Sequence, residues 1–235
     1  MNFKDEALII YKKIINENNL LVKFLSKNNG LCIGIIYGGN SKKNKKIYQI
    51  GSYINFNFLQ KNENSIANVN GELKKPLLTN YFDDKFKLYA VLTSCSLLNI
   101  AINENQRFKN IYNQTYNLFL SFNNKHWFYD FTIWMLYFLT ELGYGFDWKD
   151  IQLRKKFLCL NNLQFLDKNN SIVSNNNIIE FPYELVLNKI ISFHQCNLFF
   201  TIFEHIINKQ LLSHSSKKTP NIYYDFKKLI LESLR

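Results

Sequence analysis

Cysteine, histidine and arginine are scarce in this 235-residue chain, and their arrangement excludes several kinds of site. The four cysteines are widely separated and form no C-x-x-C pair, which argues against a disulfide framework and a zinc ribbon. The four histidines show no metal-binding spacing such as H-E-x-x-H. We therefore predict no metal and no cofactor, with the thiols reduced and packed.

Motifs for nucleotide hydrolysis and catalysis are also missing. There is no G-x-x-x-x-G-K-[ST], and the glycines between residues 30 and 39 lie inside a predicted hairpin, not between a strand and a helix. The acidic pairs Asp5-Glu6 and Asp83-Asp84 stand where elements begin, so capping and solvation account for them. We expect a protein that is not an enzyme.

No apolar run is long enough to span a membrane. The longest, residues 131–142, is shorter than the ~20 residues a spanning helix requires, and Asp130 and Glu141 bracket it. The N-terminal residues are charged and carry no targeting pattern. These features predict a cytoplasmic protein that does not use the membrane.

Positive charge is what the chain has in excess. The formal net charge is +11 and the pI about 9.3, which suits a polyanionic partner, either nucleic acid or an anionic membrane surface. Residues 1–78 hold 12 Lys against 5 acids, whereas residues 79–235 hold 17 Lys plus Arg against 13 acids. The net charges are +7 and +4, so the first third carries most of the excess.

One block of lysines stands out, in the segment Gly38-Gly39-Asn40-Ser41-Lys42-Lys43-Asn44-Lys45-Lys46. Two glycines let the backbone turn tightly beside a ligand. Lysine ammonium groups neutralise phosphates without reading base identity, whereas a bidentate arginine favours guanine. We predict that Lys42, Lys43, Lys45 and Lys46 bind a nucleic-acid backbone independently of sequence.

Aromatic and basic residues near this block suggest a longer binding path. Tyr37, Tyr48 and Tyr53 are predicted on the solvent-facing side of the strands as candidate platforms for bases. Because 16% of the chain is aromatic and many of these rings must be core, we expect one or two of the three to stack. Lys12, Lys23 and Lys27 would extend the cationic path. A further cluster consists of Arg154, Lys155 and Lys156. Three roles fit this cluster: contact with nucleic acid, contact with an acidic protein tail, or a solvated helix face.

Patterning predicts an α+β chain with two domains, at residues 1–78 and 79–235. The period-two alternation of residues 53–58 is typical of a strand with one buried face. Strands are predicted at 7–15, 20–26, 31–37, 47–59 and 65–73, and five short strands suggest a small barrel. Helices are predicted at 83–102, 105–122, 125–142, 182–212 and 220–234, with a small β-hairpin inserted around 157–173.

Several segments, in order, resemble the RecO family of bacterial recombination mediators. Residues 5–10 and 20–30 are similar to its first strands, and residues 38–43 to its Gly-Gly-x-Ser-basic-basic loop. Gln49 falls where the family tends to carry glutamine. The most specific match is Leu142-Gly143-Tyr144-Gly145-Phe146-Asp147, which is similar to the Leu-Gly-aromatic-Gly-x-Asp turn of the family.

The resemblance implies an N-terminal oligonucleotide-binding (OB) barrel followed by an all-helical domain with a small insertion. The zinc-ligand cysteines of some relatives are absent from this chain, so we predict no zinc in that insertion. The resemblance also implies binding of single- and double-stranded DNA and annealing of complementary strands in the nucleoid. Implied partners are RecR, the acidic C-terminal tail of the single-stranded DNA-binding protein and, indirectly, RecA. The chain departs from the pattern at Met135, usually acidic, at Tyr223, usually arginine, and at Ile151, often cysteine.

Two other functions fit the same residues. A cationic stacking surface on an OB barrel would also serve an RNA-binding or ribosome-associated protein. Alternatively, the helical part docks protein partners and the lysines only keep the chain soluble. Binding assays with matched DNA and RNA strands distinguish the three.

Overall fold

The computed structural model describes residues 1–62, 65–103, 109–146, 148, 157–166, 177–213 and 215–235. The strands are β1 (Asn2–Ile14), β2 (Leu20–Ser26), β3 (Gly30–Ile36), β4 (Tyr53–Leu59), β5 (Ala67–Lys75), β6 (Phe157–Cys159), β7 (Gln164–Leu166) and β8 (Ile178–Glu180). The helices are α1 (Lys85–Ala101), α2 (Lys109–Ser121), α3 (Trp127–Glu141), α4 (Tyr183–Val186), α5 (Phe193–Ile206) and α6 (Asn221–Ser233).

The first five strands form a closed barrel in the order β1-β2-β3-β5-β4, with β1 also pairing with β4. All the pairings are antiparallel except β3 with β5, which are parallel. This is the topology of an OB barrel, as the resemblance implied. The predicted α+β class, with a five-stranded barrel before helices, is confirmed.

The barrel interior is filled by side chains at alternate strand positions. On β4 these are Ile54, Phe56 and Phe58, all buried, whereas the intervening Asn55 and Asn57 are exposed. Phe24 of β2 packs edge-on against Phe56 with ring centroids 4.5 Å apart. The alternation read from the sequence therefore separates the buried face from the wet one.

The fourth strand begins later than the sequence predicts, at Tyr53 and not near Ile47. Residues Asn44–Lys46 form a 3₁₀ turn, and Gly51 adopts a φ of +87° that favours glycine. The backbone N–H of Gly51 donates to the Ile9 carbonyl at 2.8 Å, which returns the chain to β1. The lysine block consequently belongs to a long β3–β4 connection.

One compact unit comprises residues 1–120 and 220–226, so α1 and α2 pack with the barrel. Asp84 caps α1 by accepting a hydrogen bond from the Lys87 N–H at 3.2 Å. The Cys95 thiol of α1 lies 3.9 Å from the Ile9 carbonyl of β1. The Tyr81 hydroxyl donates to the Phe119 carbonyl of α2 at 2.5 Å. The domain boundary predicted after residue 78 stays a prediction.

A second compact unit comprises residues 121–219 and 227–235. Helix α3 ends before Gly143, whose φ of +85° is typical of a C-terminal cap. The predicted insertion is a three-stranded sheet ordered β7-β6-β8. Its hairpin turns between β6 and β7, whereas the asparagine-rich turn predicted at 167–170 lies outside the described residues.

The predicted helix at 182–212 is divided in two. Helix α4 ends at Val186, and α5 begins after Ser192, which accepts a hydrogen bond from the Gln195 N–H. Helix α5 continues into a π-helical turn, Ile207–Leu211. Lys227 of α6 pairs with Glu204 of α5 at 2.8 Å. Within the described residues no helix is long and apolar enough to cross a membrane.

Candidate nucleic-acid interface

The lysine block forms an ordered loop, which we call the lysine loop (37–46), between β3 and β4. Its four lysines are all exposed: Lys42, Lys43, Lys45 and Lys46. The backbone N–H groups of Asn44 and Lys45 donate to the Ser41 carbonyl at 3.0 and 2.9 Å. The ammonium groups are therefore carried by a backbone that is hydrogen-bonded to itself.

The start of the lysine loop is fixed to the turn between β1 and β2. The Asn40 backbone N–H donates to the Asn18 carbonyl at 2.9 Å, and its side-chain amide donates to the Glu17 carbonyl at 3.0 Å. The Gly38 N–H donates to Oδ1 of Asn19 at 3.0 Å, and Gly38 has a φ of +65°. The two connections therefore lie side by side at one end of the barrel.

Lys12 lies at the other end of the lysine loop, but its ammonium group is occupied. Nζ donates to the Tyr48 carbonyl at 3.1 Å and to Oε1 of Gln49 at 2.7 Å. The side chain is partly buried, and this desolvation lowers the pKa of Lys12. Lys12, which was predicted to contact phosphate, thus lies beside the lysine loop, and its ammonium group is directed into the protein.

Of the three tyrosines predicted to face solvent, one or two of which we expect to stack on bases, the structure exposes one. Tyr37 directly follows β3 and is 63% exposed. Tyr48 is only 2% exposed, and its hydroxyl donates to the Gly71 carbonyl at 2.8 Å. The prediction that Tyr48 faces solvent is wrong, because the segment before β4 folds the ring into the barrel core. Burial raises the pKa of the Tyr48 phenol despite its hydrogen bond to Gly71.

The expected solvent exposure of Tyr53 is wrong as well. Its ring does point out of the barrel, but α2 covers it, so that Tyr53 is fully buried. Edge-on contacts join it to Tyr116 at 4.9 Å and to Tyr112 at 5.8 Å between centroids. Burial is the largest cause that raises the pKa of Tyr53 well above its usual value, and the neighbouring Tyr112 is the second. A base cannot reach this ring without displacing the helix.

The structure instead brings a different tyrosine together with Lys23. Strand pairing sets Tyr11 of β1 opposite Lys23 of β2, and Lys23 opposite Ile33 of β3. The Lys23 ammonium lies 5.7 Å from the centroid of the Tyr11 ring. In the next row Lys13 is opposite Leu21, which is opposite Ile35. We call these six side chains the outer face.

Sequence reasoning missed Tyr11 and Lys13 on the outer face. Both are at least partly exposed, and they alternate with the inward-facing Lys12. Lys12 pairs with Val22, a fully buried core residue, which identifies the inward side. A β-bulge between Ile9 and Tyr11 reverses the alternation of β1, so simple period-two counting places these residues on the wrong sides.

Lys27 does not join this surface. Lys27 follows the C-terminal end of β2, whereas the lysine loop lies next to Leu20 at the other end of that strand. The Lys27 Nζ pairs with Glu6 at 3.3 Å. Lys74 also hydrogen-bonds to Glu6, and the two lysines together lower the pKa of the Glu6 carboxyl. A lysine neutralised in this way has less charge to offer a phosphate.

The barrel also has a groove of about 450 Å³ across β1, β4 and β5. Three carboxylates line it, those of Asp5, Glu6 and Glu72, against a single ammonium group from Lys4. Polar asparagines from β4 and β5 complete the walls. Glu6 is already paired with Lys27 and Lys74, and the lining residues include one lysine against the four exposed lysines of the lysine loop, so the groove is the weaker candidate for a phosphate backbone.

The remaining predicted site residues, Arg154, Lys155 and Lys156, lie outside the described residues. In the part of the chain that is described, no three His, Cys, Asp or Glu side chains are grouped as metal ligands. Cys196 is buried, which raises the pKa of its thiol to about 12, whereas the nearby His194 is exposed and lies 3.7 Å from Glu180. These two residues, two positions apart on α5, therefore point in different directions.

Comparisons with known proteins give a consistent result over the first two thirds of the chain. Residues 1–77 match the family model described as the N-terminal part of recombination protein O, and residues 83–151 match that of its C-terminal part. A DNA repair protein RecO from Rickettsia canadensis is 31% identical over 147 residues, covering 63% of this chain and 61% of the relative. Its counterparts from Rickettsia bellii and Rickettsia conorii show the same identity, with 61% and 62% of their lengths covered.

The matched region thus spans about three fifths of the length of these curated relatives. The two family models together include the whole barrel, the lysine loop and the first three helices. The barrel topology and the two family models agree with the resemblance read from separate sequence segments. The chain therefore belongs to the RecO family of DNA repair and recombination proteins.

Proposed function

We propose that this protein is a DNA-binding recombination mediator that holds single- and double-stranded DNA, anneals complementary strands and assists RecA loading during repair. It performs no catalytic step. The observation that carries the proposal is the lysine loop, with four exposed ammonium groups on an ordered backbone beside the outer face. The names of the relatives, DNA repair protein RecO, support the choice of DNA.

Phosphate binding is the role of the lysine loop in this proposal. Its point charges neutralise phosphates and release condensed counterions, which gives affinity without sequence preference. Single and double strands share this backbone, so the loop serves both. Scarcity of arginine, which occurs at three positions, supports weak base discrimination.

The outer face adds contacts that only an unpaired strand can make. Bases of a single strand stack on exposed aromatic rings, each worth about 1–3 kcal/mol, whereas bases inside a duplex are already stacked. Tyr11 offers such a ring between Lys13 and Lys23, and Ile33 and Ile35 offer apolar surface alongside. Tyr37, next to the lysine loop, offers a second ring.

Annealing follows from these two contributions. Two complementary strands repel each other through their phosphates, and a barrel domain of net charge +7 lowers that repulsion. Lysine contacts to the backbone leave the base edges free to pair. Stacking on only one or two rings is weak enough for a base to leave the protein when its complement arrives.

Protein partners complete the proposed role. We propose contacts with RecR and with the acidic C-terminal tail of the single-stranded DNA-binding protein, through which RecA is loaded. The positive balance of residues 79–235 suits an acidic tail, and Arg154, Lys155 and Lys156 are candidates for holding it. Such a protein would work in the cytoplasm, at the nucleoid.

The decisive experiment replaces Lys42, Lys43, Lys45 and Lys46 together with Ser. If all four touch a single strand, log affinity falls against log salt with a slope of at least about −3, since each contact contributes roughly −0.7. The variant should lose that part of the slope and should anneal complementary strands more slowly. Unchanged binding and annealing would reject the lysine loop as the contact surface.

A matched control keeps the net charge of the variant but leaves the lysine loop intact. It changes four exposed lysines elsewhere to Ser: Lys85, Lys125, Lys217 and Lys218. Its slope should stay close to that of the unaltered protein. Competition between matched DNA and RNA strands completes the design, because preferential displacement by RNA would favour the RNA-binding alternative over DNA repair.

A further inference from the structure

Lys12 occupies an unusual position for a lysine in a basic barrel. Its strand partner is Val22, whose side chain is fully buried in the barrel core, so Lys12 lies on the inward side of β1. A lysine there must bring its ammonium group to polar partners, because an unpaired charge is costly away from water. Its position near the end of β1 allows Nζ to reach the chain that follows the lysine loop.

The partners of Lys12 connect β1 to the lysine loop. Nζ donates to the Tyr48 carbonyl at 3.1 Å and to Oε1 of Gln49 at 2.7 Å. The other end of the same amide, Nε2 of Gln49, donates to the Lys45 carbonyl. One ammonium group therefore reaches two backbone carbonyls, the first directly and the second through Gln49.

This connection holds the end of the lysine loop in place against the repulsion between its charges. Four ammonium groups within five residues repel one another, and the repulsion favours a spread, disordered loop. The start of the loop is held through Asn40 by the β1–β2 turn, whereas its end is held by Lys12 and Gln49. A positive charge also interacts favourably with the carbonyls that a helical turn leaves exposed at its C-terminal end.

We infer that Lys12 and Gln49 are positioning residues that preorganise the lysine loop for phosphate binding, and that Lys12 itself makes no phosphate contact. This inference rests on the proposed DNA binding. An ordered loop pays less entropy when it meets a strand, so preorganisation raises affinity without adding a contact. Lys12 thus differs in kind from the four lysines it supports.

The test compares Lys12→Met with Lys13→Met, a change of the adjacent exposed lysine on the outer face. Lys12→Met should weaken single-strand binding about tenfold at fixed salt while the salt slope stays unchanged. Lys13→Met should reduce the slope by about 0.7, as expected for one lost phosphate contact. A slope that falls by that amount in Lys12→Met would identify Lys12 as a contact and overturn the inference.

Amide hydrogen exchange without DNA gives a second, independent measurement. Exchange at Lys45 and Ile47, whose N–H groups donate to carbonyls of the lysine loop, should be faster in Lys12→Met and unchanged in Lys13→Met. Unchanged exchange in both would also overturn the inference. If the unaltered protein does not bind DNA, the proposed function fails, yet exchange still decides whether Lys12 orders the loop.

Two more variants separate positioning from general damage to the fold. Lys12→Arg keeps donors for the Tyr48 carbonyl and Gln49, so it should retain most of the affinity that Lys12→Met loses. Gln49→Met should weaken binding to a similar degree. Combined with Lys12→Met it should add little, because both changes break the same connection. Fully additive losses would contradict the proposed link.

Discussion

The hydroxyl of Tyr48 closes the barrel at Gly71, accepting from its N–H at 3.1 Å and donating to its carbonyl at 2.8 Å. Strand β3 pairs with β5 only at Gly34 and Ile35, and it ends at Ile36, before it could reach Gly71. One phenol from the β3–β4 connection therefore supplies both hydrogen bonds that a neighbouring strand would have made. The segment that carries the lysine loop is thereby tied to β5, the strand between β3 and β4 in the barrel.

Removing that hydroxyl should destabilise the barrel. In Tyr48→Phe the ring still fills the core, but the Gly71 N–H and carbonyl lose their partner, which costs about 1–3 kcal/mol. Urea denaturation measures the loss. The same change at the exposed Tyr37 should leave the free energy of unfolding within about 0.5 kcal/mol, and an equal effect at both sites would contradict the role given to Tyr48.

Acid should weaken the barrel through Asp5. Burial alone would raise the pKa of this carboxyl, but hydrogen bonds from Ser26, from Asn28 and from the Glu6 N–H outweigh it and lower the pKa below its usual value. A carboxyl with a lowered folded-state pKa stabilises the protein above its unfolded-state pKa, and this contribution disappears as pH falls through the folded-state value.

The measurement for Asp5 is the free energy of unfolding between pH 6 and about pH 3. Asp5→Asn should be less stable at pH 6 and should lose less stability on acidification than the unaltered protein. Glu17→Gln, a change at an exposed carboxyl, is the control and should keep the original pH dependence. If Asp5→Asn keeps it too, the hydrogen bonds to Asp5 do not set the acid sensitivity.

Tyr11 should distinguish single strands from duplex. Tyr11→Ala removes the stacking ring of the outer face, so single-strand affinity should fall by the equivalent of about 1–3 kcal/mol while duplex affinity changes little. Fluorescence anisotropy with a labelled strand and its duplex measures both. Tyr224→Ala, at an exposed tyrosine of α6, should affect neither, and equal losses for strand and duplex would argue against stacking.

Lys23 and Lys27 were predicted to act alike, and the structure separates them. Lys23→Met should reduce the salt slope of single-strand binding by about 0.7, because its ammonium lies on the outer face beside Tyr11. Lys27→Met should leave the slope unchanged, because that lysine is paired with Glu6. The loss of this partly exposed ion pair should cost about 1 kcal/mol of stability. A reduced salt slope for Lys27→Met would show that the DNA-binding surface extends past the outer face.

Local patterns predicted most of the barrel. Residues 20–26 were predicted as a strand and form β2 with the same bounds. The prediction succeeds because successive side chains of a half-buried strand alternate between its buried and its exposed face. The start of β4 was predicted too early, because residues 44–46 adopt a 3₁₀ turn that carries no such alternation. The division of the helix predicted at 182–212 was missed for a similar reason, since its apolar residues continue through the break.

By itself, then, the sequence determined the α+β class, the RecO resemblance and the exposed charge of the lysine loop, because each depends on short segments and their order along the chain. Only the tertiary structure decided which side chains share a surface. The bulge in β1 turned Lys12 inward and Tyr11 outward, and α2 covered Tyr53 from a distance of more than fifty residues. Contacts between residues so far apart in the chain depend on strand register and packing, which a local pattern does not contain.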